Sequence, residues 1–111
     1  MAEYVQITTS VGSEEEAERI GAALVERRLA ACVQVLGPIA SRYRWQGEIE
    51  TAREWLCLAK TEASHYLQVE ATIRELHSYE EPEIVATPIV AGSKAYLDWI
   101  SASLKTSSRR H

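Results

Sequence analysis

Between Ala31 and Lys60 the chain reads ACVQVLGPIASRYRWQGEIETAREWLCLAK, and the fold turns on this stretch. Ala31, Val33, Val35, Ile39, Tyr43 and Trp45 face one way, and Cys32, Gln34, Leu36, Arg42 and Arg44 the other. Such alternation is the signature of a β-strand, whose successive side chains point to opposite faces. Gly37-Pro38 interrupts it, and proline has no N–H to give a ladder, so a bulge or bend is expected there. A second run, residues 48–60, returns through Trp45-Gln46-Gly47, a three-residue loop with Gly47 at its left-handed position. This register sets Arg44 opposite Glu48, Arg42 opposite Glu50 and Tyr43 opposite Ile49. Opposite charges facing across a ladder contribute roughly 0.2–1 kcal/mol per pair.

The same register places Cys57 opposite Val35 and Cys32 opposite Lys60, on different faces and well out of step. A disulfide needs Cα atoms within about 7 Å, so two free thiols are expected. Strands of about 14 residues would reach roughly 45 Å. A compact domain of this length is only about 35 Å across. Either the hairpin bends at Gly37-Pro38, or its outer end, with Tyr43, Trp45 and Ile49, projects and needs a partner surface.

Outward from the hairpin the periods change. Tyr4-Val5-Gln6-Ile7-Thr8-Thr9 reads as a first strand. Ser13 before Glu14, Glu15 and Glu16 forms a capping box, the Ser13 hydroxyl taking the Glu16 N–H and the Glu16 carboxylate reaching back to Ser13. Ala17, Ile20, Leu24 and Val25 then keep helical spacing over residues 13–28. Tyr66, Val69, Ile73 and Leu76 mark a second helix over residues 64–77, which Pro82 terminates. Residues 84–90 form a last strand, and Pro88 assigns it to a sheet edge or a bulge. Gly92-Ser93 opens a final helix with Tyr96, Trp99, Ile100 and Leu104 on its apolar side, and residues 105–111 form a loose polar tail. The order βαββαβ plus a terminal helix is that of a ferredoxin-like α+β sandwich, with a long bent hairpin between its second and third strands.

The 111 residues form one domain, 1–111, with 46% hydrophobic and 25% charged residues, as in an ordinary globular protein. No apolar run approaches the roughly 20 residues that span a bilayer. Met1-Ala2-Glu3-Tyr4 has no basic flank or apolar stretch, and with two cysteines the expectation is a cytoplasmic protein. The net charge of −4 opposes a broad grip on nucleic acid.

Nucleotide-binding glycine loops, paired-cysteine motifs and the nucleophile elbow are all missing. His77 ends a helix, where an imidazole can ligate metal, carry a proton or complement the helix dipole. Cys32 reads as a small buried hydrophobe or as a soft-metal thiolate, and Cys57 as core. Trp45, Trp55 and Trp99 read as packing or as the walls of a cleft.

Several blocks together resemble the divalent-cation tolerance family CutA: Leu29-Ala30-Ala31-Cys32-Val33, Tyr43-Arg44-Trp45-Gln46-Gly47-Glu48-Ile49-Glu50, Glu54-Trp55-Leu56, Lys60-Thr61, His77-Ser78-Tyr79, Pro82-Glu83-Ile84 and Gly92-Ser93-Lys94. They run in the family's order over nearly the whole chain. The resemblance implies a non-enzymatic homotrimer built like the PII signal-transduction proteins, linked to tolerance of copper and other divalent cations. It implies an intersubunit cleft with Tyr43, Trp45, Lys60 and Tyr79, and a metal set of His77, Cys32 and Glu83. The chain departs from the family where Ser78 replaces a proline, where Thr8 stands for the cysteine of copper-binding members, and where Leu76 stands for a second histidine. Only His77 of that copper set is kept. The alternative is a PII-like signalling or scaffold trimer with a protein partner and a mobile loop. An acylphosphatase-type enzyme needs an arginine in the loop Thr8-Thr9-Ser10-Val11-Gly12, which has none. An RNA-recognition module needs aromatic strand motifs that are missing here.

Overall fold

The central strand β1 (Tyr4–Val11) lies antiparallel to β3 on one side and β4 on the other, in a four-stranded sheet of order β2-β3-β1-β4. The molecule is described by a computed structural model covering residues 3–105. After β1 come α1 (Glu14–Glu26), β2 (Cys32–Trp45), β3 (Glu48–Glu62), a 3-10 turn (Ala63–His65), α2 (Tyr66–Leu76), β4 (Val85–Ile89) and α3 (Lys94–Leu104). This is the ferredoxin-like order read from the sequence, with β4 at an edge as Pro88 requires. The tail at residues 106–111 lies outside the described residues. Among the described residues no helix is long and apolar enough to cross a membrane.

One sheet face carries the core. Ile7 and Val11 of β1 and Cys57 and Ala59 of β3 meet Ala17, Ile20 and Leu24 of α1 and Val69 and Ile73 of α2, all essentially sealed from solvent. Each large side chain buried this way contributes about 1.5–3 kcal/mol. On the other face α3 covers one end. Its Ser101 hydroxyl bonds the Tyr4 hydroxyl and donates to Glu62, and Ile100 and Leu104 are buried. Tyr96 and Trp99, expected on that apolar side, are instead 41% and 46% exposed and stack on each other at 5.4 Å.

The hairpin confirms the inner register and corrects the outer one. Cys32 pairs with Lys60 and Val35 with Cys57, as expected, and both cysteines are free. Between Leu36 and Ile39 the register slips by one, with Gly37 and Pro38 opposing Trp55 alone. The tip is therefore a two-residue turn, Gln46-Gly47, with Arg44 opposite Ile49, Tyr43 opposite Glu50 and Arg42 opposite Thr51. Both turn residues have positive φ (51° and 81°), the backbone that matches strand twist in a tight hairpin. Turn geometry and the bulge outweigh the two charge pairs, which are worth little at an exposed tip.

β1 pairs with β3 only from Trp55 to Glu62, so among the described residues the stretch of β3 before Trp55 has no strand partner but β2. The outer hairpin is a two-stranded arm standing clear of the body. The molecule measures 54 × 30 × 22 Å, longer than a compact domain of its size.

Candidate functional site

Where the arm leaves the body it forms one wall of a cleft of about 640 Å³. The opposite wall is the loop joining α2 to β4. Tyr43 and Trp45 enter from β2, Glu50 and Glu54 from β3, and Tyr79 and Glu83 from the loop. Their placement follows from local sequence. Past the bulge Tyr43 faces Glu50 and Trp45 faces Glu48, so these side chains share a face with Glu54. Pro82 keeps the chain from continuing α2, and the released segment folds back over the end of β1.

A chain of half-buried polar contacts fixes this loop. Ser13 caps α1 by accepting the Glu16 N–H at 3.1 Å, as expected. The Glu16 carboxylate does not return to Ser13. It is 6% exposed and accepts the Ser78 backbone N–H at 2.8 Å and the Ser78 hydroxyl at 3.0 Å. The buried His77 ring stands 3.6 Å from the same carboxylate. Its Nε2 lies 2.8 Å from the Ser10 carbonyl, and its Nδ1 accepts the Tyr79 N–H at 3.1 Å. That pattern assigns the proton to Nε2 and commits the lone pair of Nδ1. Tyr79 then donates its hydroxyl to Glu54 at 2.9 Å. Burial, followed by this bond to Glu54, pushes the Tyr79 hydroxyl up to about 12. Burial also pushes the Cys57 thiol up to about 11, with Glu16 adding to it, and Cys57 donates to the Ala17 carbonyl.

Of the expected cleft residues, Tyr43, Trp45 and Tyr79 meet, whereas Lys60 does not line this cleft and donates to Gln34 at 2.7 Å. Of the expected metal donors, His77 and Glu83 both touch Ser10, Glu83 by accepting its hydroxyl at 3.4 Å. Cys32 sits opposite Lys60, four residues along β3 from the Leu56 that faces Ser10, so it stands about 13 Å along the sheet and two strands across from Ser10. Among the described residues no group of three or more His, Cys, Asp or Glu is arranged to hold a metal ion. The three donors do not converge within one chain, and the Nδ1 lone pair of His77 is already used.

Sequence reasoning missed Glu16 and Glu54. By local sequence Glu16 belongs to the cap it flanks, and only tertiary folding brings Ser78 to it. Glu54 carries a legible signal: it shares its alternation phase with Leu56 and Leu58, the phase of a half-buried face.

Fold and cleft together define a ferredoxin-like α+β protein whose outer hairpin carries an acidic, aromatic-walled cleft. The chain belongs to the CutA family: the family model for CutA1 divalent ion tolerance protein matches residues 5–103. It is 48% identical over 100 residues to the divalent-cation tolerance protein CutA of Thermus thermophilus, covering 90% of this chain and 95% of that one. The CutA of Archaeoglobus fulgidus is 41% identical over 95% of this chain and 100% of its own. The crystal structure of CutA from Xylella fastidiosa superposes with a TM-score of 0.89 at 38% identity, covering 92% of this chain and 98% of that one. The Thermus and Archaeoglobus relatives are named for tolerance of divalent cations, not for a reaction.

Proposed function

We propose that this protein serves divalent-cation tolerance as a homotrimer that binds a metal ion or a small ligand in clefts between subunits, and that it is a binding protein and not an enzyme. The arm carries this reading. Tyr43, Trp45 and Ile49 are 44%, 49% and 63% exposed on a ribbon that, among the described residues, pairs with no third strand. Leu36 and Val85 add exposed apolar surface on the sheet face that α3 leaves open. A protein in water leaves apolar surface of this extent for another surface to cover. In a closed ring each arm lies along the next subunit, and a metal held by His77 and Glu83 with donors of a neighbouring copy displaces the Tyr79 N–H from His77 Nδ1. The names of the relatives support a role with divalent cations, copper being the first to test. Two unpaired thiols fit a reducing compartment, so we place the protein in the cytoplasm. The signalling alternative needs a long mobile loop, and the two-residue turn at the tip offers none.

Calorimetric titration of the purified protein with copper and zinc tests the metal role. Stoichiometric binding that weakens in His77→Ala is expected. No retained metal at neutral pH would overturn it.

A further inference from the structure

Glu54 is a carboxylate with 7% exposure, lining a cleft, and among the described residues no ion pair reaches it. Among the described residues its one side-chain hydrogen bond comes from the neutral hydroxyl of Tyr79 to Oε2, and Oε1 is left to the solvent of the cleft. A carboxylate mostly withdrawn from water with no counter-charge is unfavourable, and a cation entering beside it relieves that. Resting on the cleft reading above, we propose that this cleft takes a small organic cation, an amine or quaternary ammonium group on an apolar body.

Three independent features agree on that chemistry. The sign of the site is negative: Glu50, Glu80, Glu81 and Glu83 stand around Glu54, against the single basic residue Arg42. Anionic ligands are thereby disfavoured. The walls are aromatic, with Tyr43 and Trp45 from the arm and Tyr79 from the loop. Ring faces attract cations by about 0.5–2 kcal/mol each, most when water is excluded, and offer little to a hydrated metal ion. The size is that of a molecule. About 640 Å³ suits a small organic ligand, whereas a single water-sized occupant fills about 30 Å³. A bare metal ion also lacks its ligand set here, since no three donors converge among the described residues.

The Glu16–Ser78 and His77–Tyr79 bonds hold Tyr79 in place, so the aromatic wall is set before a ligand arrives. Preorganisation of this kind raises affinity by removing the ordering cost of the wall.

Choline and its neutral carbon isostere, 3,3-dimethylbutan-1-ol, separate charge from shape. Each is titrated into the full chain, followed by tryptophan fluorescence and calorimetry, with spermidine as a second amine. The expected result is binding of an amine, with the neutral isostere weaker by about tenfold or more. Glu54→Gln should weaken amine binding by a similar factor with native mass unchanged. If Glu54→Gln does not fold, Glu81→Gln on the exposed rim gives a loss of about threefold. Equal binding of choline and the neutral isostere overturns the cationic assignment. Copper or zinc binding with no amine bound overturns it while leaving the metal-site reading intact. Failure of all probes overturns both.

Discussion

The Glu16 carboxylate of α1 takes both hydrogen-bond donors of Ser78, at 2.8 and 3.0 Å, across 62 residues of sequence. It ties the first turn of α1 to the loop that roofs the cleft. A residue that caps a helix by sequence rules thus works as a tertiary strut.

Removing that strut should be felt in stability. Glu16→Ala removes a buried acceptor from two donors of the exposed Ser78, which water can then meet, and should cost about 1–2 kcal/mol, with Glu16→Gln costing less because an acceptor oxygen remains. Denaturant melts of both variants check the order. Equal stability of Glu16→Ala and the parent would contradict it.

Thr9 presents the opposite case. Its Oγ1 is buried without a hydrogen-bond partner among the described residues. Thr9→Val keeps the shape and removes the unmet hydroxyl, so it should stabilise the fold by about 1 kcal/mol. A melting temperature below the parent's would show that the hydroxyl has a partner in solution.

Two glycines of the hairpin matter for different reasons. A Cβ at Gly37 would lie 2.6 Å from Trp55 Cδ1 and 3.0 Å from the Glu54 carbonyl oxygen, so Gly37→Ala must move the bulge and should cost about 1–3 kcal/mol. At Gly47 a Cβ meets nothing within 4 Å, but φ is +81°. Gly47→Ala should cost about 1 kcal/mol through backbone preference alone, and Gly47→Asn less. Paired melts, with Trp55 emission as a local probe, distinguish packing from backbone. A Trp55 shift in Gly47→Ala would refute the distinction.

The buried Cys57 thiol gives a pH signature. Its pKa rises from 9.0 to about 11 on folding, chiefly through burial. Below pH 9 both states hold the proton and the stabilisation is complete. Between 9 and about 11 the unfolded chain releases its proton while the folded chain keeps it, so stability falls as pH rises. Denaturation midpoints at pH 8, 9.5 and 11 should decline, and the decline should be shallower in Cys57→Ser. Identical slopes would place the titration elsewhere.

Much of the fold was legible because local chemistry and tertiary packing agree. Ser13 caps its helix, Pro88 sits on an edge strand, and Gly37-Pro38 makes the bulge that the broken alternation announces. The outer register was not legible. A three-residue loop with Gly47 and a two-residue turn with Gln46 and Gly47 both satisfy the glycine, and the exposed charge pairs were too weak to choose between them. The site was half legible. Tyr43, Trp45 and Tyr79 stand in recognisable blocks, but Lys60 is drawn to Gln34 by the inner register. Glu16 enters the site only through contacts across the chain, which no local period encodes.

The most direct test of the assembly is the native mass of the full chain at neutral pH, beside that of an arm-tip variant, Trp45→Ala. The account predicts three times the subunit mass for the parent and a weakened assembly for the variant, by about 3–5 kcal/mol if the ring is buried between subunits. A monomer at micromolar concentration would contradict it, because the exposed arm would then have no surface to meet.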